Sequence, residues 1–154
     1  MKTYSFDFPY RIKYYETDKM GYVHNSNYFR LFETGREETM RHCGLSYDDI
    51  EKMGVMMPLI EQFAHYHVPA HYDDNVIIRT TVMGMPQAKI HFHYEVFSLQ
   101  DGKKVLHCEG WNKLCFVDEK TRKPQRCPKF LTEILEKVLT EEQAITSSQN
   151  KTAF

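Results

Sequence analysis

One long segment of helical period stands between a single strand-like segment and a run of four more, and few folds accommodate that order. Residues 26–43 place Tyr28, Leu31, Phe32 and Met40 on one stripe, with Glu33, Arg36, Glu37 and Arg41 largely outside it, the spacing of a helix with one apolar face. Asn25, Ser26 or Asn27 can cap its start, because each offers an oxygen to a free backbone N–H, and Gly44 reads as its stop. Gly35 lies inside; an interior glycine costs about 1 kcal/mol relative to alanine, so close packing is expected there. Before the helix, residues 5–15 alternate, with Phe6, Phe8, Tyr10, Ile12 and Tyr14 on one face. Pro9 marks that strand as an edge or a bulge. After a short helix at 46–52, residues 57–67, 75–85, 90–99 and 105–117 have strand period, and Asp101-Gly102 is a hairpin turn between the last two. An amphipathic helix at 128–139 closes the pattern. The reading is α+β: one antiparallel sheet with a helix laid on one face.

The 154 residues suit one domain, taken as 1–140, followed by a polar tail at 141–154. The formal net charge of −1 removes the broad basic footprint of a general nucleic-acid binder. No apolar run approaches the roughly 20 residues that span a bilayer, and the first residues carry no long apolar segment of a secretory signal. A cytoplasmic protein is expected. Cys43, Cys108, Cys115 and Cys127 form no C-x-x-C pair, so reduced, buried and inert thiols are expected.

The stretch 15–28 places an acid, a glycine turn, an imidazole and two carboxamides directly ahead of the long helix. Asp18 reads either as a turn aspartate bonding its own backbone or as a nucleophile or general base beside a helix N-terminus. The partial positive charge there favours a carboxylate and a developing oxyanion. His24 is a general acid/base or a polar turn residue. The backbone N–H of Asn25, left without an intrahelical acceptor, can polarise a carbonyl. Glu33 faces the same cleft or solvent. His65 and His67 share a strand face, His71 follows Pro69, and His91 and His93 form a second pair. No acid or thiol in the sequence completes a metal pattern, so no metal is expected. Lys89, Lys120, Arg122, Lys123, Arg126 and Lys129 gather near strand ends, for solubility or for ligand phosphates. Neither glycine-rich nucleotide loop is present.

The run Tyr15-x-Thr17-Asp18-x-Met20-Gly21-x-Val23-His24-x-Ser26-Asn27-Tyr28-x-Arg30-x-Phe32-Glu33 resembles the N-terminal motif of hotdog-fold acyl-CoA thioesterases of the 4-hydroxybenzoyl-CoA thioesterase type. The similarity continues through Val68-Pro69-Ala70-x-Tyr72-Asp73-Asp74 and Lys123-Pro124-x-Arg126-x-Pro128. The resemblance implies a long central helix wrapped by a curved antiparallel sheet of about five strands. It implies active sites at a subunit interface, in a homodimer or homotetramer. The implied reaction is hydrolysis of a fatty or aromatic acyl-CoA, with coenzyme A as part of the substrate and no further cofactor. Asp18 matches the catalytic aspartate and Asn25 the carbonyl polariser. Some relatives carry histidine at the Asn25 position, so His24, one place earlier, is a secondary candidate. Tyr15, Tyr28, Glu33, Lys89, Lys123 and Arg126 are the expected substrate contacts. A thioesterase for acyl carrier protein and a non-catalytic acyl-CoA-binding protein remain as alternatives.

Overall fold

The computed structural model describes residues 1–141. The chain opens with β1 (Lys2–Arg11), then α1 (Asn25–His42), α2 (Tyr47–Lys52), β2 (Val55–Met56), β3 (Leu59–Tyr66), β4 (Asn75–Met83), β5 (Lys89–Gln100), β6 (Lys103–Asp118), β7 (Pro124–Gln125), α3 (Lys129–Val138) and β8 (Thr140–Glu141). The long strands stand in the order β3-β6-β5-β4-β1, every pair antiparallel. Two-residue strands add β2 and β7 to β6 and β8 to β1. Among the described residues the sheet therefore has eight strands, the five long ones and three of two residues, where the resemblance implies about five.

The first strand stops at Arg11, earlier than the alternation suggests. The Glu16 carboxylate accepts from the Lys13 N–H at 2.7 Å and from the Tyr10 hydroxyl at 2.9 Å. These bonds turn residues 14–16 into a single 3-10 turn and leave Tyr15 72% exposed. Pro9 pairs with Ile77 of β4, and β8 reaches only Lys2 and Thr3. Pro9 thus sits where β1 is the sheet edge, and its missing N–H costs no ladder bond. The strand expected over 57–67 is divided: Pro58, with no N–H, separates β2 from β3. Of the expected polar tail, Glu141 pairs with β1, as does Thr140 before it; residues 142–154 lie outside the described residues.

α1 begins one residue earlier than expected. Its cap is His24, whose Nδ1 accepts the Ser26 N–H at 3.2 Å, and not Asn25, Ser26 or Asn27. The helix ends at Gly44, whose φ of +96° suits glycine. α1 packs on β1, β4, β5 and β3. Its buried face holds Tyr28, Leu31, Phe32, Gly35, Thr39 and Met40, against Ile78, Val82, Ile90, Phe92, Tyr94, Val96 and Leu114 of the sheet. Phe32 stacks on Tyr94 with centroids 4.5 Å apart. A Cβ at Gly35 would lie 2.5 Å from both Ile78 Cγ2 and Thr80 Oγ1, so the helix touches β4 at a distance only glycine permits.

Arg36 departs from its expected place outside the stripe: it is 9% exposed. Its Nε donates to the Tyr47 hydroxyl at 2.6 Å and its Nη1 to the Tyr94 hydroxyl at 3.3 Å. Tyr94 in turn donates to Asn112 Oδ1 at 2.9 Å. Burial opposes the guanidinium charge, and the two tyrosine oxygens outweigh it, so its pKa is raised. Among the described residues, no helix is long and apolar enough to cross a membrane. All four cysteines are unpaired, and burial pushes Cys43 up to about 11 and Cys108 and Cys127 up to about 12, which leaves those thiols protonated and unreactive.

Candidate active site

The turn before α1 is built around Asp18. Its Oδ1 accepts from the N–H groups of Met20 at 2.9 Å and Tyr22 at 3.2 Å, and its carbonyl accepts from Gly21 at 3.0 Å. Gly21, at φ +80°, makes that closure possible. The turn-aspartate reading is thus correct for one oxygen. Among the described residues Oδ2 makes no hydrogen bond, so the carboxylate is fixed through one oxygen and free at the other.

The segment then enters α1 under restraint. The His24 N–H donates to Glu16 O at 2.9 Å and the Val23 N–H to Ala70 O at 2.8 Å. The Val68-Pro69-Ala70 run therefore pins the helix start, which gives that weak motif a structural reason. Asn25 is the first helical residue, and its N–H finds no acceptor among the described residues. Its carbonyl accepts from the Tyr66 hydroxyl at 3.4 Å.

Asp18, Asn25 and Tyr28 line one cavity of about 200 Å³, together with Tyr22, Val23, Tyr66, His67, Val68, Pro69 and His107. Tyr28 is buried, and that burial raises its pKa; it lies against Tyr66, with ring centroids 5.6 Å apart. His107 is buried as well. Its Nδ1 lies 2.8 Å from Val68 O, which can only accept, so that nitrogen carries the proton; Nε2, 2.8 Å from Ser98 Oγ, then accepts from the hydroxyl.

Other expected site residues lie elsewhere. Tyr15 lines a larger groove of about 930 Å³ between β1 and α1, which Asp18 does not line. The His24 ring is held by Ser26, 2.7 Å from its Oγ, and does not line the Asp18 cavity. Glu33 is exposed on α1, away from that cavity. Lys89, Lys123 and Arg126 are exposed near one another. Lys89 pairs with Cys115, Gln125 with Phe116, and the Cys127 N–H donates to Gln87 O at 2.6 Å. That end of β6 is eight residues from His107, about 26 Å along a strand. Within one chain, the basic cluster does not reach Asp18.

Tyr66 and His107 were not singled out from the sequence. In the sequence Tyr66 is one aromatic among several in strand period, and His107 depends on Ser98 and Val68, contacts that only the folded sheet creates. For His65 and His67, the missing acid is supplied by Glu109 on β6, which the strand register sets opposite His65.

Residues 12–135 match the model of the thioesterase-like superfamily. The chain belongs to this family. The acyl-CoA thioester hydrolase YbgC of Escherichia coli O6:H1 is 27% identical over 131 residues, covering 85% of this chain and 96% of that protein. Among solved structures, a DHNA-CoA thioesterase from Staphylococcus aureus superposes with a TM-score of 0.79 at 28% identity, covering 94% of each chain. A hypothetical protein from Aquifex aeolicus superposes with a TM-score of 0.77 at 32% identity, covering 84% of this chain and 98% of that one.

Proposed function

We propose that the protein hydrolyses acyl-CoA thioesters, with Asp18 as its catalytic carboxylate and the Asn25 N–H as the group that polarises the thioester carbonyl. The observation that carries this reading is one cavity lined by Asp18, whose Oδ2 makes no hydrogen bond among the described residues, and by Asn25, whose helix-start N–H finds no acceptor among them. Membership of the thioesterase-like superfamily and the names of its relatives give the reaction class. Asp18 either attacks the carbonyl carbon or takes a proton from an attacking water. Where water attacks, its proton goes to Asp18, and negative charge gathers on the carbonyl oxygen beside the Asn25 N–H and the α1 N-terminus. The C–S bond then breaks, and Asp18 returns the proton to the departing thiolate. Where Asp18 attacks, the C–S bond breaks to leave a mixed anhydride on Asp18, and water then hydrolyses it to the free acid, its proton balancing the thiolate. Coenzyme A enters only as part of the substrate, and the chemistry calls for no resident cofactor. His24, fixed as a helix cap, has no role in these steps.

A cavity of about 200 Å³ is small beside the 300–1,000 Å³ of ordinary ligand sites, so a CoA ester needs surface from elsewhere. We assign that surface to a second copy. Among the described residues β3 pairs only with β6 and its other edge has no partner, with Leu59, Ile60, Phe63 and Tyr66 exposed along it. Such an edge favours pairing. A two-fold axis there would set the Tyr66 end of one β3 beside the Leu59 end of the other. It would thereby bring the second copy's Lys89, Lys123 and Arg126 to the Asp18 cavity, where they could meet CoA phosphates. In this arrangement the sheets of a homodimer join and curl around the two α1 helices. The unpaired thiols favour a cytoplasmic home.

The deciding experiment is hydrolysis of short, long and aromatic acyl-CoAs by the native chain and by Asp18→Asn. The asparagine keeps an oxygen for the Met20 and Tyr22 N–H groups, so the turn survives. We expect turnover to fall by about 10²-fold or more, on the scale of losing one catalytic group. Near-native turnover in folded Asp18→Asn would sink the role of Asp18.

A further inference from the structure

We propose that His65, His67 and Glu109 form a binding site for a divalent transition-metal ion, best matched by Zn²⁺. The site lies on the face of the sheet turned away from α1. The β3–β6 register sets His65 directly opposite Glu109, and His67, two residues on, projects from the same face. His67 Nε2 lies 3.3 Å from Glu109 Oε1. The two imidazoles stack with centroids 4.3 Å apart and planes 23° from parallel. One ligand atom from each of the three residues falls within 4.8 Å of the others.

Four features favour a metal over an ordinary histidine cluster. The ring nitrogens of His65 make no hydrogen bond among the described residues, so no neighbour explains their placement. Glu109 faces Glu95 across β5–β6; among the described residues Glu95 has Arg79 and Lys104 as counter-ions, whereas Glu109 has only His67. Like charges directly opposite destabilise a sheet, and a cation at Glu109 relieves that repulsion. Two imidazoles and a carboxylate suit Zn²⁺, while Ca²⁺ and Mg²⁺ prefer all-oxygen sets. Bonds near 2.0 Å set tetrahedral ligand atoms about 3.3 Å apart; both histidines are exposed and can close by rotation. The fourth position is left to water. The metal proposal does not depend on thioester hydrolysis, and its test reads binding alone.

The untagged full-length chain, stripped with chelator, is titrated calorimetrically with ZnCl₂ and followed by visible absorption with CoCl₂. One ion per chain is expected, with Co²⁺ bands of nitrogen and oxygen ligands. His65→Ala/His67→Ala, which removes two of the three ligands, should abolish saturable Zn²⁺ binding, and Glu109→Gln should weaken it by more than the about 10-fold that loss of an outer-shell partner costs. Circular dichroism checks that each variant folds. Undiminished affinity in the double variant, thiolate-to-cobalt charge-transfer bands, or no saturable binding by the native chain would each overturn the proposal.

Discussion

Arg36 Nε donates to the Tyr47 hydroxyl at 2.6 Å, which joins α1 to α2 through a buried cation. No carboxylate lies within 4.0 Å of this guanidinium among the described residues. Its burial rests on hydroxyl oxygens of Tyr47 and Tyr94 instead. Tyr47→Phe removes an acceptor and leaves a buried charged donor without a partner. The expected loss is about 1–3 kcal/mol, read as a lower urea midpoint at unchanged slope. Tyr94→Phe should cost less through Arg36, since that bond is the longer at 3.3 Å. An unchanged midpoint in Tyr47→Phe would show that solvent satisfies Arg36.

Gly35→Ala sets two effects against each other. Alanine gains about 1 kcal/mol of helix propensity. Its Cβ, however, would stand 2.5 Å from Ile78 Cγ2 and Thr80 Oγ1, inside van der Waals contact with atoms held near the backbone of β4. Overpacking of this kind costs about 1–3 kcal/mol, or more where neighbours cannot move. The net expectation is a lower melting temperature, which Ile78→Ala, by removing one clashing atom group, should partly restore in the double variant relative to additivity. Scanning calorimetry of the four proteins decides it.

The same two residues show what could be read from the chain. Gly35 was legible because a helix-interior glycine has a local cost that calls for a local reason. Arg36 was not: helical periodicity places it beside the apolar stripe, and only Tyr47 and Tyr94, 11 and 58 residues away, explain its burial. The strand order was legible because alternation and the Asp101-Gly102 turn are local signals. That Asp18 and Asn25 would line one cavity was legible for the same reason, since seven residues of turn and helix start fix them together. Lys89, Lys123 and Arg126 carry no such constraint. β6 holds them apart from Asp18 within one chain, and only an active site at a subunit interface, as the resemblance implies, would bring them to it.

His91 gives the fold a pH dependence of definite sign. Burial, then Lys113 and His93, lower its pKa, while Glu61 opposes them; its Nε2 is buried and has no partner among the described residues. Trp111 meets it edge-on. Lowering in the folded state means that the unfolded chain binds this proton more readily. The contribution of His91 is complete above the ordinary histidine value, about pH 6.5, and is lost as pH falls below it toward the folded value. Urea midpoints at pH 7.5 and 5.5 should therefore differ less in His91→Gln than in the native chain. Equal differences in the two proteins would remove His91 from the account.

Asn25 allows its backbone to be tested separately from its side chain. It is the first residue of α1, and the preceding His24 is already extended, with φ −64° and ψ 138°, as a residue before proline must be. Proline is well suited to this first helical position, because the N–H it lacks has no intrahelical acceptor there. Asn25→Pro thus deletes the proposed carbonyl polariser and leaves the helix intact. Asn25→Ala deletes the carboxamide and keeps the N–H. If the backbone donor stabilises the oxyanion, the proline variant should lose about 10²–10³-fold in kcat, the usual effect of one oxyanion donor. The alanine variant should stay within a few fold of native, with matching circular dichroism and melting temperature in all three proteins. Equal losses in both variants would assign the role to the carboxamide; native turnover in folded Asn25→Pro would remove Asn25 from the mechanism.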